Sequence, residues 1–269
     1  MTDLWSVSTE TGANLTADEL TGVLAAHHDR VITGWQALTP EQWEQPSRNT
    51  TWTAHETARH VADCMDRVAG MILGAPSPAA AGPFDPRETP EIWLAASADH
   101  APAQTIERFA NAAPLFRAEA AERVNAGDTS TGMTVYGPAH WSVNVVHVFW
   151  DSWLHERDIM LPLGLPAEST PDEQRLASIY GLLMAMVPAR MMDQTFAASV
   201  PFDRTPAVAV TAAHEAGQFT SAETLESSTA LVGERCSLVD SLSGRGAPLR
   251  DLLPTAPDLL HAFPDYMTS

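Results

Sequence analysis

The segment from Ala139 to Leu161 constrains the fold of this chain more than any other part of its sequence. Five polar side chains recur there at intervals of three or four residues in an otherwise apolar run, namely His140, Asn144, His147, Asp151 and His155. This spacing keeps side chains on one face of an α-helix, and we call the five residues the polar stripe. Because the other faces are rich in valine, tryptophan and phenylalanine, we predict a largely buried helix over 139–161 within a bundle.

Asp151 makes the polar stripe chemically informative. A carboxylate is costly to bury unless a cation or a hydrogen-bond donor meets it. Asp151 and His155 stand one helical turn apart and are therefore suited to hold one cation together. For any one of the stripe's histidines taken alone, the alternative is a hydrogen-bonded core residue.

The third ligand is expected from a facing helix, and His60 is the candidate. Thr53 and Glu56 form a capping box that opens this second helix. His55 lies on a different face from His60, whereas Cys64, four positions after His60, shares its face. We interpret Cys64 as a small core residue, with a thiolate ligand for zinc as the alternative.

Similar start and stop signals predict the other elements. A capping box, an early proline or a terminal glycine marks the ends of the predicted helices. These helices span 17–36, 54–73, 102–126 and a stretch that starts at 171, and a short turn opened by Thr39 and Pro40 carries Trp43. Residues 75–90 and 128–138 are rich in turn formers, and we predict loops there that border a site.

Beyond residue 200 the pattern changes from helical to alternating. Residues 207–211 are typical of a strand, and residues 225–242 of a strand that leads into a helix. We therefore predict an α+β chain in two domains. A four-helix bundle occupies 15–165, and a small α/β domain occupies 170–269.

Charge and composition exclude several classes of function. The net charge is -19, and the 15 basic residues are all arginine. Such an acidic chain is poorly suited to bind nucleic acid or an anionic membrane. The sequence has no 18-residue apolar run, no leader pattern and only two cysteines, so we expect a cytoplasmic protein without disulfides.

Three segments resemble one known family. The run TWTAHETARHV at 51–61 is similar to the helix start that carries the first metal ligand of DinB-like metalloenzymes, and DSWLHERDI at 151–159 is similar to their second metal motif. The run LVDSLSGR at 238–245 resembles the L-x-L-x-G-R ending of one branch, the mycothiol-dependent maleylpyruvate isomerases. The resemblance implies a DinB-like four-helix bundle followed by a sterol-carrier-protein-like α/β domain, and it extends over about residues 15–265.

The resemblance also implies the ligands and the cofactor. It assigns a divalent metal ion, with zinc expected, to His60, Asp151 and His155, and it implies mycothiol as co-substrate. In that family the ion holds the thiol as a reactive thiolate. The family usually has glutamate where this chain has Asp151. Three alternatives therefore stay open: Asp151 binds the ion directly, binds it through water, or yields its place to His147.

Arginines and His147 complete the predicted site. Arg245, which stands between two glycines, is predicted to clamp a carboxylate of the substrate or thiol, and neutralisation of a helix end is the alternative. Arg157 is predicted to contact the thiol or, with Asp158, to orient the metal ligands, and an ordinary salt bridge between the two is the alternative. We predict catalytic roles for Arg245 and His147. Four tryptophans are expected to pack in the bundle, with lining of the substrate mouth as the alternative: Trp52, Trp141, Trp150 and Trp153.

The leading hypothesis for function is a metal- and mycothiol-dependent isomerase or S-transferase that acts on a small electrophilic molecule. One alternative is a hydrolase or lyase that uses metal-bound water without a thiol. The other is a non-catalytic binding bundle. The expected partners are a small-molecule substrate and the thiol, and the expected state is a monomer or a homodimer.

Overall fold

The computed structural model describes residues 5–6, 16–49, 51–74, 85, 88–134, 137–184, 196–202, 205–212, 217–221, 229–230 and 235–252. The helices are α1 (Ala17–Gln36), α2 (Pro40–Trp43), α3 (Ala54–Cys64), α4 (Gly70–Ile72), α5 (Glu88–Ala96), α6 (Pro102–Ala126), α7 (Ser142–Met160), α8 (Pro171–Met184), α9 (Arg235–Leu242) and α10 (Leu249–Leu252). A π-helical turn, Met65–Ala69, joins α3 to α4. No described helix is long and apolar enough to span a membrane.

The predicted capping boxes determine where several helices begin. Thr16, Thr39 and Thr53 each accept a hydrogen bond from the backbone N–H three residues later, and the side chain at that later position binds back to the cap. Thr170 and its partner three residues later make the same pair of bonds at the start of α8. Helix α6 ends at Gly127, whose φ of +60° is left-handed. The predicted bounds of α1 and α6 are confirmed, and the short turn predicted to carry Trp43 is the helix α2.

Helices α1, α3, α6 and α7 form the helical bundle. Helix α1 packs against α6, and α3 packs against α7. The centre of the bundle holds large side chains that are fully buried: Trp35, Phe109, Phe116, Phe149 and Trp153. The same hydrophobic core continues into α8 and α9 through Tyr180 and Leu238. Helix α8 packs against α7, and α9 packs against α8.

The described strands form one seven-stranded sheet in the order β2-β3-β1-β6-β5-β4-β7. The strands are β1 (Trp5–Ser6), β2 (Thr131–Thr134), β3 (Gly137–His140), β4 (Phe196–Phe202), β5 (Thr205–Ala212), β6 (Gly217–Ser221) and β7 (Thr229–Ala230). Strand β1 runs parallel to β3 and β6, and β4 runs parallel to β7. The remaining pairs are antiparallel. The expected strand at 207–211 lies within β5, whereas the division into two domains and the sterol-carrier-like assignment stay predictions.

The prediction for the start of α7 was wrong. Residues 131–134 and 137–140, which fall mainly in a predicted loop, form the antiparallel strands β2 and β3 and pair with each other. Helix α7 therefore starts at Ser142. His140 lies on β3, where its Nδ1 is 2.8 Å from Ser142 Oγ, and it does not belong to the polar stripe.

Two other boundaries also differ from the prediction. The helix expected over 54–73 is interrupted by the π-helical turn Met65–Ala69. Residues 88–90, expected in a loop, form the first turn of α5. The rest of that predicted loop, apart from residue 85, lies outside the described residues, as do residues 225–228 of the last predicted strand.

Candidate metal centre

Three predicted ligands meet between α3 and α7. His60 Nε2 lies 3.2 Å from Asp151 Oδ1, and His155 Nε2 lies 3.6 Å from the same oxygen. All three side chains are buried. One ligand atom from each lies within 4.8 Å of the other two. Asp151 and His155 converge because they stand one turn apart on α7, and His60 reaches them from the facing turn of α3.

Asp158 fixes the orientation of His155. Its Oδ2 lies 2.9 Å from His155 Nδ1. With Nδ1–H donating to this carboxylate, Nε2 keeps a lone pair on the side of Asp151. Burial alone raises the pKa of Asp158, but the hydrogen bond from His155 and two neighbouring arginines outweigh it and lower the pKa to about 2. A carboxylate behind a histidine is the arrangement that orients metal-binding imidazoles in proteins.

Asp151 is ionised and only partly paired. Burial raises the pKa of the Asp151 carboxyl, but the adjacent His60 and His155 lower it by more. The pKa therefore lies well below its ordinary value. Within the described part of the chain, Asp151 Oδ2 and His60 Nδ1 have no hydrogen-bond partner. A buried carboxylate oxygen without a partner is destabilising, so the site favours a positive charge beside Asp151.

A divalent cation fits these three ligands. In a tetrahedral zinc site with metal–ligand distances of about 2.0–2.1 Å, neighbouring ligand atoms lie about 3.3 Å apart. The separations of 3.2 and 3.6 Å agree with that geometry. A hydrogen bond from His60 accounts for one of these two contacts, and His155 places a second imidazole nitrogen near the same oxygen. Two imidazoles and one carboxylate leave a coordination position for a further ligand.

Trp52 forms one wall of the centre. Its ring centroid lies 4.9 Å from that of His60 and 6.2 Å from that of His155. Its Nε1 donates a 2.8 Å hydrogen bond to Glu91 Oε1 on α5. Trp52 is buried, which agrees with the packing interpretation. The rings that it packs against are those of His60 and His155. Glu91 was missed because it lies just beyond a predicted loop and has no motif of its own.

His147 lies on the other side of Asp151. One ligand atom each from Cys64, His147 and Asp151 fall within 4.8 Å of one another. The His147 ring stacks on Tyr180 with centroids 4.6 Å apart. Burial lowers the pKa of His147 to about 4, so its imidazole is neutral at pH 7. Burial and the nearby Asp151 carboxylate raise the pKa of the Cys64 thiol. Asn144, the remaining stripe residue, is also buried on α7.

Arg245 contacts the residue that holds His155. Its Nε lies 3.1 Å from Asp158 Oδ2, and its Nη1 donates to the Ser243 carbonyl at 3.2 Å. Its Nη2 makes no hydrogen bond to any described residue. Arg245 therefore lies one side chain away from the three ligands.

Arg157 has a different set of partners from the expected ones. It makes two hydrogen bonds to Asp240, of 3.1 and 2.8 Å, and it stacks over Trp153 at 4.9 Å. Its Nη1 also donates a 3.4 Å hydrogen bond to the Ala167 carbonyl. Asp158, the other residue of the expected pair, contacts His155.

Arg48 and Asp240 were missed by the sequence analysis. Arg48 donates to Asp158 at 3.0 Å and to both oxygens of Asp240, so it links α9 to the residue behind His155. The loop position of Arg48 gave no periodic signal. Asp240 did give one, because it is an acid among apolar residues in the LVDSLSGR run, and the same burial argument used for Asp151 applies to it.

A helical bundle with a buried His/Asp/His cluster between two helices defines a class of candidate metalloproteins. The sequence profile described as the mycothiol maleylpyruvate isomerase N-terminal domain matches residues 24–160, just over half of the 269 residues. The chain therefore belongs to the mycothiol maleylpyruvate isomerase family, a family of enzymes, and the prediction of this family is confirmed. All three candidate ligands lie within the matched residues.

Two solved structures share the fold. They are crystal structures of the mycothiol-dependent maleylpyruvate isomerase and of a mutant of that enzyme, each with a TM-score of 0.55 and 12% sequence identity to this chain. The similarity covers 88% of this chain, 93% of the first structure and 92% of the mutant. The sequence has no significant match among curated proteins.

Proposed function

We propose that this protein is a metal- and mycothiol-dependent enzyme that isomerises a small electrophilic molecule or transfers the thiol to it. The observation that carries the proposal is the buried cluster of His60, Asp151 and His155 in the part of the chain that matches the family. We further propose that residues 170–269 form the family's small α/β domain and that the protein acts in the cytoplasm.

The residues of this chain have distinct tasks in that reaction. His60 and His155 supply neutral nitrogens, and Asp151 supplies a negative charge that favours a cation over a second proton. Asp158 holds His155 in the tautomer that leaves Nε2 available. When bound, the ion supplies a positive charge that lowers the pKa of a thiol, and addition and elimination of the thiolate isomerise a conjugated double bond.

Arg245 is the proposed anchor for a carboxylate on the substrate or on the thiol. Guanidinium binds carboxylate through two parallel hydrogen bonds, and this chain has no lysine to substitute for it. The contact with Asp158 holds the Arg245 side chain beside the cluster while Nη2 remains available. We propose His147 as a neutral wall of the same site, where its stacking on Tyr180 fixes the ring.

The test compares metal content and turnover in matched histidine variants. We expect His60→Ala and His155→Ala to lose the bound divalent ion and the mycothiol-dependent conversion of maleylpyruvate, the substrate that the family name supplies. The control is His100→Ala, because His100 lies outside the bundle core and contacts Arg108 instead of the cluster. Unchanged metal stoichiometry in both cluster variants would contradict the proposal.

A further inference from the structure

We propose that Cys64, His147 and Asp151 form a second cation position that takes a thiophilic divalent ion and shares the Asp151 carboxylate with the first. All three side chains are buried. One ligand atom from each lies within 4.8 Å of the other two. The proposal rests on the proposed function only through Asp151, since neither Cys64 nor His147 belongs to the first ligand set.

The helix geometry places the two ligand sets side by side. Cys64 follows His60 by one turn of α3, and His147 precedes Asp151 by one turn of α7. Cys64 lies toward the C-terminal end of its helix from His60, and His147 lies toward the N-terminal end of its helix from Asp151. Because these two residues lie close together, α3 and α7 are antiparallel here. The second set is therefore displaced along the helix pair by about one turn, roughly 5.4 Å.

Asp151 has an oxygen available for each position. Its Oδ1 faces the two imidazoles of the first set, His60 and His155. Its Oδ2 is buried and has no hydrogen-bond partner within the described residues. A carboxylate that bridges two cations would use both oxygens. With a single cation in the first set, the Cys64 thiol is a remaining hydrogen-bond partner of this carboxylate.

The donor set selects the kind of ion. A thiolate, an imidazole and a carboxylate suit zinc or cadmium, whereas magnesium and calcium prefer oxygen ligands. The His147 ring is held nearly parallel to Tyr180, at an interplanar angle of 4°. Binding replaces the S–H bond of Cys64 with a sulfur–metal bond, and the displaced proton passes to the buffer.

The bland alternative is that Cys64 and His147 are ordinary core residues. Packing accounts for the burial of the thiol and for the stack on Tyr180. A hydrogen bond between the Cys64 thiol and the Asp151 carboxylate also holds two of the three groups together without a cation. It leaves the His147 nitrogen, which lies within 4.8 Å of both, outside the contact. A cation satisfies all three groups together.

The experiment is a cobalt titration of the metal-free full chain without any added thiol. We expect a second equivalent of cobalt to bind and to produce the charge-transfer absorption of a sulfur ligand. Cys64→Ala is expected to remove the second equivalent and the absorption band. Cys236→Ala is the matched control, because Cys236 is the only other cysteine and lies half-buried on α9. This control is expected to keep both.

The outcomes separate this proposal from the proposed function. His60→Ala is expected to weaken the first position and to retain the sulfur band. A wild-type protein that binds a single equivalent, or a Cys64→Ala variant that still binds two, would overturn the second position and leave the first intact. If Cys64→Ala does not fold, X-ray absorption of the cadmium-loaded wild type decides the question. A sulfur neighbour supports the proposal, and its absence overturns it.

Discussion

Asp158 determines which nitrogen of His155 is available. It receives the His155 Nδ1–H, and it is itself held by Arg48 and Arg245. With every bond of this carboxylate assigned, the His155 ring has little freedom to rotate. The orientation of His155 in the cluster therefore depends on Asp158, which is not itself one of the three candidate ligands.

We predict that Asp158→Asn weakens divalent-ion binding without abolishing it. An asparagine cannot polarise His155 as a carboxylate does, and loss of such a partner reduces metal affinity by about 10–100-fold in comparable sites. The dissociation constant for cobalt in competition with a chelator provides the measurement. Asp99→Asn, at an exposed turn, serves as control and is expected to leave the affinity unchanged. Equal affinities for both variants would contradict this role of Asp158.

At the residue scale, sequence reasoning predicted for physical reasons which side chains meet in the cluster. An acid on an apolar helix requires a partner, and the interval of four residues points it toward His155. The same reasoning did not reveal Trp52 as a wall of the site, or Arg48 as a link to Asp158. Their positions depend on how a loop folds back on α7, which no local periodicity records.

At the scale of elements, the capping box at the start of α3 positions this helix so that His60 faces α7. The Thr53 hydroxyl accepts the Glu56 N–H at 3.2 Å, and the Glu56 carboxylate accepts the Thr53 N–H at 2.8 Å. Two part-buried backbone donors at the start of α3 are thereby satisfied. Trp52 immediately precedes the cap, so the same turn also places the aromatic wall.

We predict that Thr53→Ala lowers the free energy of unfolding by about 1 kcal/mol, the usual effect of losing an N-cap hydroxyl. Thr51→Ala, two residues earlier and exposed, is the control. Urea unfolding monitored by circular dichroism measures both variants. A loss in Thr51→Ala as large as in Thr53→Ala would argue against the cap.

Element boundaries were predictable where capping chemistry decides them. The bounds of α1 and α6 were predicted correctly, because a capping box opens α1, a proline opens α6 and a left-handed glycine ends α6. The start of α7 was not, because His140 and its neighbours pair with β2 instead of continuing the helix. The position of His140 fits the helical spacing of the polar stripe only by chance. Its pairing with β2, a contact with another segment, determines its structure instead.

At the scale of the whole molecule, a network of buried charges joins α9 to the bundle. Asp240 on α9 makes bidentate contacts with Arg48 and with Arg157. Arg245 follows α9 and reaches Asp158. The C-terminal region therefore contacts the metal centre through charged groups, although the sequence suggested only a boundary near residue 165.

We predict that Asp240→Asn destabilises the protein by about 3–5 kcal/mol, because removing one partner of a buried ion pair leaves uncompensated charge. Here two arginines lose their common carboxylate. Asp251→Asn, exposed on α10, is the control and is expected to change stability little. Guanidinium unfolding compares the two variants. A difference near zero would show that α9 is held to the bundle by apolar contacts alone.

The ion pairs of Asp240 with the two arginines also predict how stability depends on pH. Burial raises the pKa of Asp240, but hydrogen bonds from Arg157 and Arg48 outweigh it and lower the pKa below the ordinary 3.8. A carboxylate with a lowered folded-state pKa stabilises the fold above its unfolded-state pKa and loses that contribution as pH falls through the folded-state value. Unfolding free energy should decrease as pH falls below about 4. The decrease should be shallower in Asp240→Asn, and identical slopes in the two proteins would contradict the assignment.

The central claim is that His60, Asp151 and His155 hold a cation to which a thiol binds. The most direct measurement is the absorption spectrum of the cobalt-loaded Cys64→Ala protein during titration with mycothiol, because this background lacks the Cys64 thiol. We predict a sulfur-to-cobalt charge-transfer band that grows and saturates with mycothiol and is missing in Cys64→Ala/His60→Ala. A spectrum that does not change at saturating mycothiol would contradict the account.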